Sequence, residues 1–302
     1  MVNLTTVTSH WSPHRLGNLT GTRIVVTGAT NGVGLATAGA LTRAGAHVIL
    51  AVRNVELGAQ RAAEIGGDTS VVELDLADLS SVRAFPDRLD GDVDVLVNNA
   101  GLVAQRRSDT VDGFEMTLGT NFLGPFALTN LLLPRVRSTV VNVASDAHKT
   151  GKIAVDDPHL RTRKWSAFPA YARSKLAVML WGLELDRRLR QAGSPVSSQL
   201  THPGWVASNL TNLSDKGLMS VVHTVAKTAA DVLANDTDAG AAPTLYCISE
   251  PIPPGSYVGI DSRLGLKGGP TLSGRSADAC DYETAAWLVA FAERETGTTI
   301  PV

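Results

Sequence analysis

Apolar residues occur along the chain in short, nearly continuous runs rich in β-branched side chains, at 23–27, 47–52, 70–74, 93–97, 139–143 and 196–201. Strands that read as unbroken apolar runs, without an apolar–polar alternation, are covered on both faces. Between the runs, apolar positions recur at helical spacing and predict helices over 33–44, 55–65, 79–89, 112–133 and 169–191. Gly45 suits the end of the first helix, and Pro134 stops the fourth. Strands alternating with helices are the mark of βαβ units, so the pattern predicts an α/β fold. Its core would be a doubly wound, Rossmann-type parallel sheet of about seven strands with helices on both faces.

The alternation loosens after Thr201. Residues 204–220 read as a long loop or two short helices, and a loop of that length in a compact domain is usually functional. Helices over 221–234, 238–249 and 281–295 and a last strand at 257–260 complete the pattern. A chain of 302 residues could hold two domains. No linker marks a second one, so residues 1–20 are read as an N-terminal arm and 21–302 as a single domain.

Composition narrows the function classes. The 27 Lys and Arg against 29 Asp and Glu give a net charge of −2 and no global positive field for nucleic acid or an anionic membrane. Residues 1–20 are polar and lack the apolar segment of a secretory signal. No run of about 18 apolar residues would insert in a membrane. The expectation is a soluble, cytoplasmic protein. Cys247 and Cys280 are too few for a disulfide framework and fit no metal-ligand spacing, so no metal is expected.

The first run leads directly into Thr27-Gly28-Ala29-Thr30-Asn31-Gly32-Val33-Gly34 at a helix start. Glycines there allow a tight turn and bring a pyrophosphate against backbone N–H groups at the positive end of the helix. The spacing G-x-x-x-G-x-G differs from G-x-G-x-x-G, and in isolation an ordinary strand-to-helix turn would explain it. Its position at the first β–turn–α unit favours a dinucleotide. The second run ends Val52-Arg53-Asn54, with no carboxylate for a ribose 2′-hydroxyl. Arg53 can pair with a 2′-phosphate, so the expected cofactor is NADP(H); a solvated surface arginine is the plainer reading.

Ser145 follows the fifth run, at a strand's carboxyl end where α/β ligands bind. Tyr171 and Lys175 stand four apart on one helix face. An ammonium favours phenolate, and such a pair can pass a proton to a carbonyl oxygen. A bare Y-x-x-x-K is common on helices; its weight comes from the ordered set around it. That set is the glycine turn, Asp75, Asn98-Asn99-Ala100-Gly101, Asn121, Ser145, Tyr171 with Lys175, and Pro203-Gly204.

This order resembles the short-chain dehydrogenase/reductase family, from about residue 20 to about residue 259. Ala51-Val52-Arg53-Asn54, Thr120-Asn121-Phe122-Leu123-Gly124 and the run from Tyr171 through Ser174-Lys175-Leu176-Ala177 look most like its retinol-dehydrogenase-like branch. The resemblance implies that Tyr171 is the acid/base and that Lys175 lowers its pKa and holds the nicotinamide ribose. It also implies that Ser145 bonds the substrate oxygen and that Asn121 supports a water relay to Lys175. Gly28, Asn31, Gly32, Val33 and Gly34 would cradle the cofactor, with Arg53 at the 2′-phosphate. Asp75 and Leu76 would lie near the adenine, and Asn98, Ala100 and Gly101 behind the cofactor. Where the family has Pro-Gly and then a Thr on the carboxamide, this chain has Pro203, Gly204 and then Ser208, a departure that keeps the hydroxyl. His202 is read as structural, because Tyr171 and Lys175 already meet the need for proton transfer.

Trp165, Phe168, Trp205 and Leu210 would either line an apolar pocket or pack the loop onto the sheet. Taken together, the residues predict an NADPH-dependent carbonyl reductase, or the reverse alcohol dehydrogenase, acting on a small hydrophobic ketone or aldehyde. Aromatic polyketides, steroids and retinoid-like aldehydes all stay open. The rival readings are a dinucleotide-binding sensor, which could dispense with the Tyr/Lys pair, and a nucleotide-sugar epimerase-like enzyme, which would usually carry a larger C-terminal domain. The expected assembly is a homodimer or homotetramer; family members often pair through the helix bearing Tyr171 and the one before it.

Overall fold

A computed structural model describes residues 11–204, 237–261 and 268–302. The amino half alternates β1 (Arg23–Thr27), α1 (Gly32–Arg43), β2 (His47–Val52), α2 (Val55–Ile65), β3 (Thr69–Glu73), α3 (Leu79–Ala84) and β4 (Val93–Asn98). It continues through α4 (Met116–Leu118), α5 (Gly124–Leu132), β5 (Val136–Val143), α6 (Ala167–Gln191) and β6 (Ser197–Thr201). The described chain ends with α7 (Thr237–Ser249), β7 (Tyr257–Ile260), β8 (Pro270–Leu272) and α8 (Tyr282–Thr296).

One sheet holds all eight strands in the order β3-β2-β1-β4-β5-β6-β7-β8, parallel except for β8, which runs antiparallel to β7. The order reverses between β1 and β4, and beyond the carboxyl ends of such strands lies the crevice where ligands of open α/β sheets bind. Successive residues of a strand point to opposite faces. Val25 accordingly enters a core with Leu96, Val140, Phe122, Phe126 and Trp181, while Ile24 and Val26 enter a second core with Leu41, Leu50 and Leu245.

The sequence expectations need three corrections. Among the described residues the sheet has eight strands, because the three-residue β8, which opens on Pro270, carries no apolar run. The predicted helix 79–89 stops at Ala84 and passes into a 3-10 turn at Pro86, since proline cannot donate within a helix. The predicted helix 112–133 begins only at Met116 and is interrupted by a π turn, Gly119–Leu123. The expected helix 221–234 and nearly all of the 204–220 loop lie outside the described residues.

The arm is part of the body from Trp11 onward. Trp11 and Leu16 are buried in the second core, and the Trp11 indole donates to Glu250 Oε1 at 2.9 Å. At the other end, α8 packs on α6 and α5, with Arg188 paired to Glu293 at 2.9 Å. Among the described residues no helix is long and apolar enough to cross a membrane.

Candidate active site

Gly28 leaves β1 at φ +67°, and a methyl group there would lie 2.9 Å from Ala100 Cα. A methyl on Gly34 would meet the Gly28 carbonyl oxygen at 2.5 Å, so α1 sits flush on the turn. Thr27 Oγ1 accepts from the N–H groups of Asn99 and Ala100, each at 3.0 Å, and Asn99 Nδ2 donates to the Thr27 carbonyl at 2.9 Å. These bonds tie the end of β1 to the end of β4 across the sheet reversal. Asn31, at the N-cap of α1, makes no capping bond, and no acid stands in the first turn with Gly32, Val33 and Gly34. The first turn of α1 thus carries no carboxylate of its own, and its positive end suits an anionic group.

Arg53 is exposed just past β2 and makes no hydrogen bond or ion pair with another described residue. Arg61, from α2, donates to the Thr30 carbonyl at 3.1 Å and so braces the same turn. Asp75 is committed locally: its carboxylate accepts from Ala77 N–H at 2.9 Å. Leu76 is buried, with its carbonyl against Gly124. Asn98 faces the sheet core, where Nδ2 donates to Thr129 Oγ1 and Asn142 Oδ1, both at 2.9 Å. Any contact Asn98 makes in the crevice must therefore come from its backbone.

Asn121 occupies the π turn, a break in helical hydrogen bonding that recurs at functional sites. Its amide brackets Leu102, accepting from the Leu102 N–H at 2.8 Å and donating to its carbonyl at 2.9 Å, and it also donates to Ser174 Oγ at 2.9 Å. Lys175 is buried on α6, and its Nζ donates to the Val143 carbonyl at 2.8 Å. Desolvation pulls this ammonium down to about 8. A methyl on Gly101 would stand 3.4 Å from Asn121 Oδ1 and 3.5 Å from Lys175 Nζ, which gathers these three at one spot.

Ser145 follows β5, and its carbonyl accepts from His148 Nδ1 at 2.7 Å while His148 Nε2 accepts from Ser276 N–H at 3.4 Å. A neutral His148 protonated on Nδ1 satisfies both bonds. It clamps the Ser145 backbone to the C-terminal segment. The Ser145 hydroxyl accepts from the Ala147 N–H at 3.2 Å and stands close enough to the Tyr171 phenol to favour its ionised form. Burial pushes the Tyr171 phenol up, and the neighbouring Ser145 hydroxyl only partly offsets that. Lys175 Nζ lies 5.8 Å from the Tyr171 ring centroid, and it is not what sets this shift. Burial thus outweighs any lowering of the phenol by Lys175, which is itself desolvated and turned to the Val143 carbonyl.

Trp165 fastens the segment before α6. Its indole donates to Glu115 Oε1 at 3.1 Å, and the buried Glu115 also pairs with Arg173 at 3.3 Å and accepts from the N–H groups of Thr117 and Leu118. That network fastens the segment before α6 to α4. Phe168 is 54% exposed, one turn before Tyr171 on α6. Pro203 and Gly204 follow β6, with Gly204 at φ +69°. Trp205, Ser208 and Leu210 lie outside the described residues.

A family model for short chain dehydrogenases matches residues 22–218. The chain belongs to the short chain dehydrogenase family, in its retinol-dehydrogenase-like branch. It is 42% identical to retinol dehydrogenase 13 of Homo sapiens over 202 residues, which are 63% of this chain and 60% of that protein. The chain thus spans well under two thirds of that relative's length. Among solved structures, an uncharacterised protein from Mycobacterium paratuberculosis is 43% identical with a TM-score of 0.85, over 97% of this chain and 99% of that one. A protein from Beutenbergia cavernae, described as an NAD(P) dependent gluconate 5-dehydrogenase with bound NADP, is 27% identical with a TM-score of 0.60, over 77% and 91%.

Thr27, Asn99, His148 and Arg61 were not predicted as site residues, although they hold the turn and the serine in place. Thr27 and Asn99 stand within the two motifs that mark the crevice, and that position was the available signal. His148 acts through a carbonyl three residues back, which no spacing rule reveals.

Proposed function

We propose that this short-chain dehydrogenase is an NADPH-dependent carbonyl reductase of small hydrophobic ketones or aldehydes, running as an alcohol dehydrogenase in reverse. The observation that carries the proposal is the convergence of the Ser145 hydroxyl and the Tyr171 phenol beside the buried Lys175 at the carboxyl end of β5. When bound, the cofactor supplies the hydride.

The residues present fit such a group. The uncapped start of α1 with Gly28, Asn31, Gly32, Val33 and Gly34 would take the pyrophosphate, and Arg53 the 2′-phosphate. The Arg53 guanidinium, unpartnered among the described residues, and the lack of a carboxylate at the end of β2 support NADP(H) over NAD(H). Asp75, Leu76, Ala100 and Gly101, with the Asn98 backbone, would flank the adenosine and nicotinamide halves, and Pro203, Gly204 and Ser208 the carboxamide. Lys175 would hold the nicotinamide ribose.

Tyr171 gives a proton to the alkoxide as it forms. Burial keeps the phenol protonated near neutral pH, the form a proton donor needs. Ser145 donates a hydrogen bond to the same oxygen, and its fixed backbone makes that donor preorganised. Asn121 holds the π turn against Leu102 and Ser174 and supports a water path to Lys175. Exposed Phe168 supports an apolar substrate wall, as do the names of the relatives, which include a polyprenol dehydrogenase of Mus musculus. Incubation with NADPH deuterated at both C4 positions and a hydrophobic ketone should place deuterium on the carbinol carbon. Alcohol formed without label would refute direct hydride transfer.

A further inference from the structure

His202 precedes the Pro203–Gly204 turn and takes no part in the proton transfer described above, yet the structure fixes it on every side. Its backbone N–H donates to the Val258 carbonyl of β7 at 2.9 Å. The ring lies 5.3 Å from the Tyr257 ring centroid and rests on Gly259, where any side chain would collide with it. Gly204 N–H donates to His202 Nδ1 at 3.2 Å. Nδ1 therefore carries the lone pair, and the proton sits on Nε2, 3.8 Å from Asp146 Oδ1.

This bond closes the turn from the side chain of one residue to the backbone two residues on, the arrangement that Asn and Asp use in Asx turns. It also sets a condition. A proton on Nδ1 would face the Gly204 N–H donor to donor, and the bond would be lost. We infer that His202 is a positioning residue that holds the Pro203–Gly204 turn for the cofactor through a neutral ring, and that protonating it releases the turn and weakens dinucleotide binding. The inference rests on the reading of this crevice as a dinucleotide site.

The groups facing His202 are Asp146 and Lys149 after β5, His148 in the same turn, and Tyr257 on β7. Asp146 favours the charged ring, whereas Lys149, His148 and above all burial oppose it, so the ring takes up its proton at lower pH than an ordinary histidine. Tyr257 donates to Asp146 at 3.3 Å, and Lys149 pairs with the same oxygen at 2.8 Å, so the carboxylate is already partnered.

The test is the dissociation constant of NADP⁺, measured calorimetrically between about pH 5 and 8 for the full chain and for His202→Asn and His202→Leu. The asparagine keeps an acceptor for Gly204 N–H and cannot be protonated. His202→Leu should bind roughly five- to tenfold more weakly at neutral pH, as expected for one lost hydrogen bond. His202→Asn should stay close to wild type at neutral pH and bind more tightly than wild type at the acid end. Titration of the 2′-phosphate is common to all three proteins and cancels in that ratio. Wild-type affinity in His202→Leu, or a constant ratio of wild type to His202→Asn across the range, overturns the role of His202. No binding by the wild type at any pH overturns the dinucleotide reading itself, and the inference with it.

Discussion

Lys175 Nζ donates to the Val143 carbonyl at 2.8 Å, so the one buried ammonium of the site is held by the end of β5 and not by a carboxylate. Without a counter-ion the ammonium is penalised, and its pKa falls to about 8 from the ordinary 10.5. The native state thus binds this proton more weakly than the unfolded chain does. Its penalty is present in full below about pH 8 and fades as the pH rises from there toward 10.5. Lys175→Met should raise stability at neutral pH by about 1–3 kcal/mol, seen as a higher thermal midpoint, while abolishing turnover. A lower midpoint would show that the Val143 bond outweighs desolvation.

Glu115 and Arg173 form a buried pair, and removal of one partner strands the other charge. Glu115→Ala should lose about 3–5 kcal/mol in urea unfolding, whereas Glu115→Leu combined with Arg173→Leu should lose much less. Equal losses in the two proteins would mean that packing, not charge, holds α4 to α6.

Arg53, beyond β2, has no partner among the described residues, and its role shows only with cofactor present. Arg53→Asp should shift the NADPH-to-NADH preference toward NADH by roughly 10- to 100-fold in kcat/KM, the worth of a charge-assisted phosphate contact. An unchanged ratio would return Arg53 to the solvated surface.

α8 lies across α5 and α6, and α6 is buried along most of its length. Pairing of two copies through those helices would first require α8 to leave. Sedimentation should therefore give no dimer joined through α5 and α6, and a self-associated form would have to use another surface. A cross-link between copies at Arg187 on α6 would contradict this.

Much of this architecture is legible in the residues. The runs ending at Thr27, Val52, Val143 and Thr201 mark strand ends because β-branched residues buried on both faces leave an unbroken apolar signature. Tyr171 and Lys175 are legible through helical spacing, and the glycine turn through its place after β1. What periodicity could not show depends on contacts distant in sequence. The π turn at Asn121 sits where Gly124 packs against the Leu76 carbonyl, and β8 exists only because β7 offers it a partner. The Trp165 bond to Glu115 joins residues fifty apart, and each Thr27–Asn99 bond pairs a side chain on one strand end with the backbone of the other.

The central claim is that Tyr171 donates the proton in carbonyl reduction. Its most direct test is NADPH consumption, followed by absorbance, across a panel of hydrophobic ketones, quinones and aldehydes for the wild type and Tyr171→Phe, with cofactor binding measured on both. The account predicts turnover by the wild type and a loss of about a hundredfold or more in kcat for the variant, with NADPH still bound. Comparable turnover by Tyr171→Phe would contradict it.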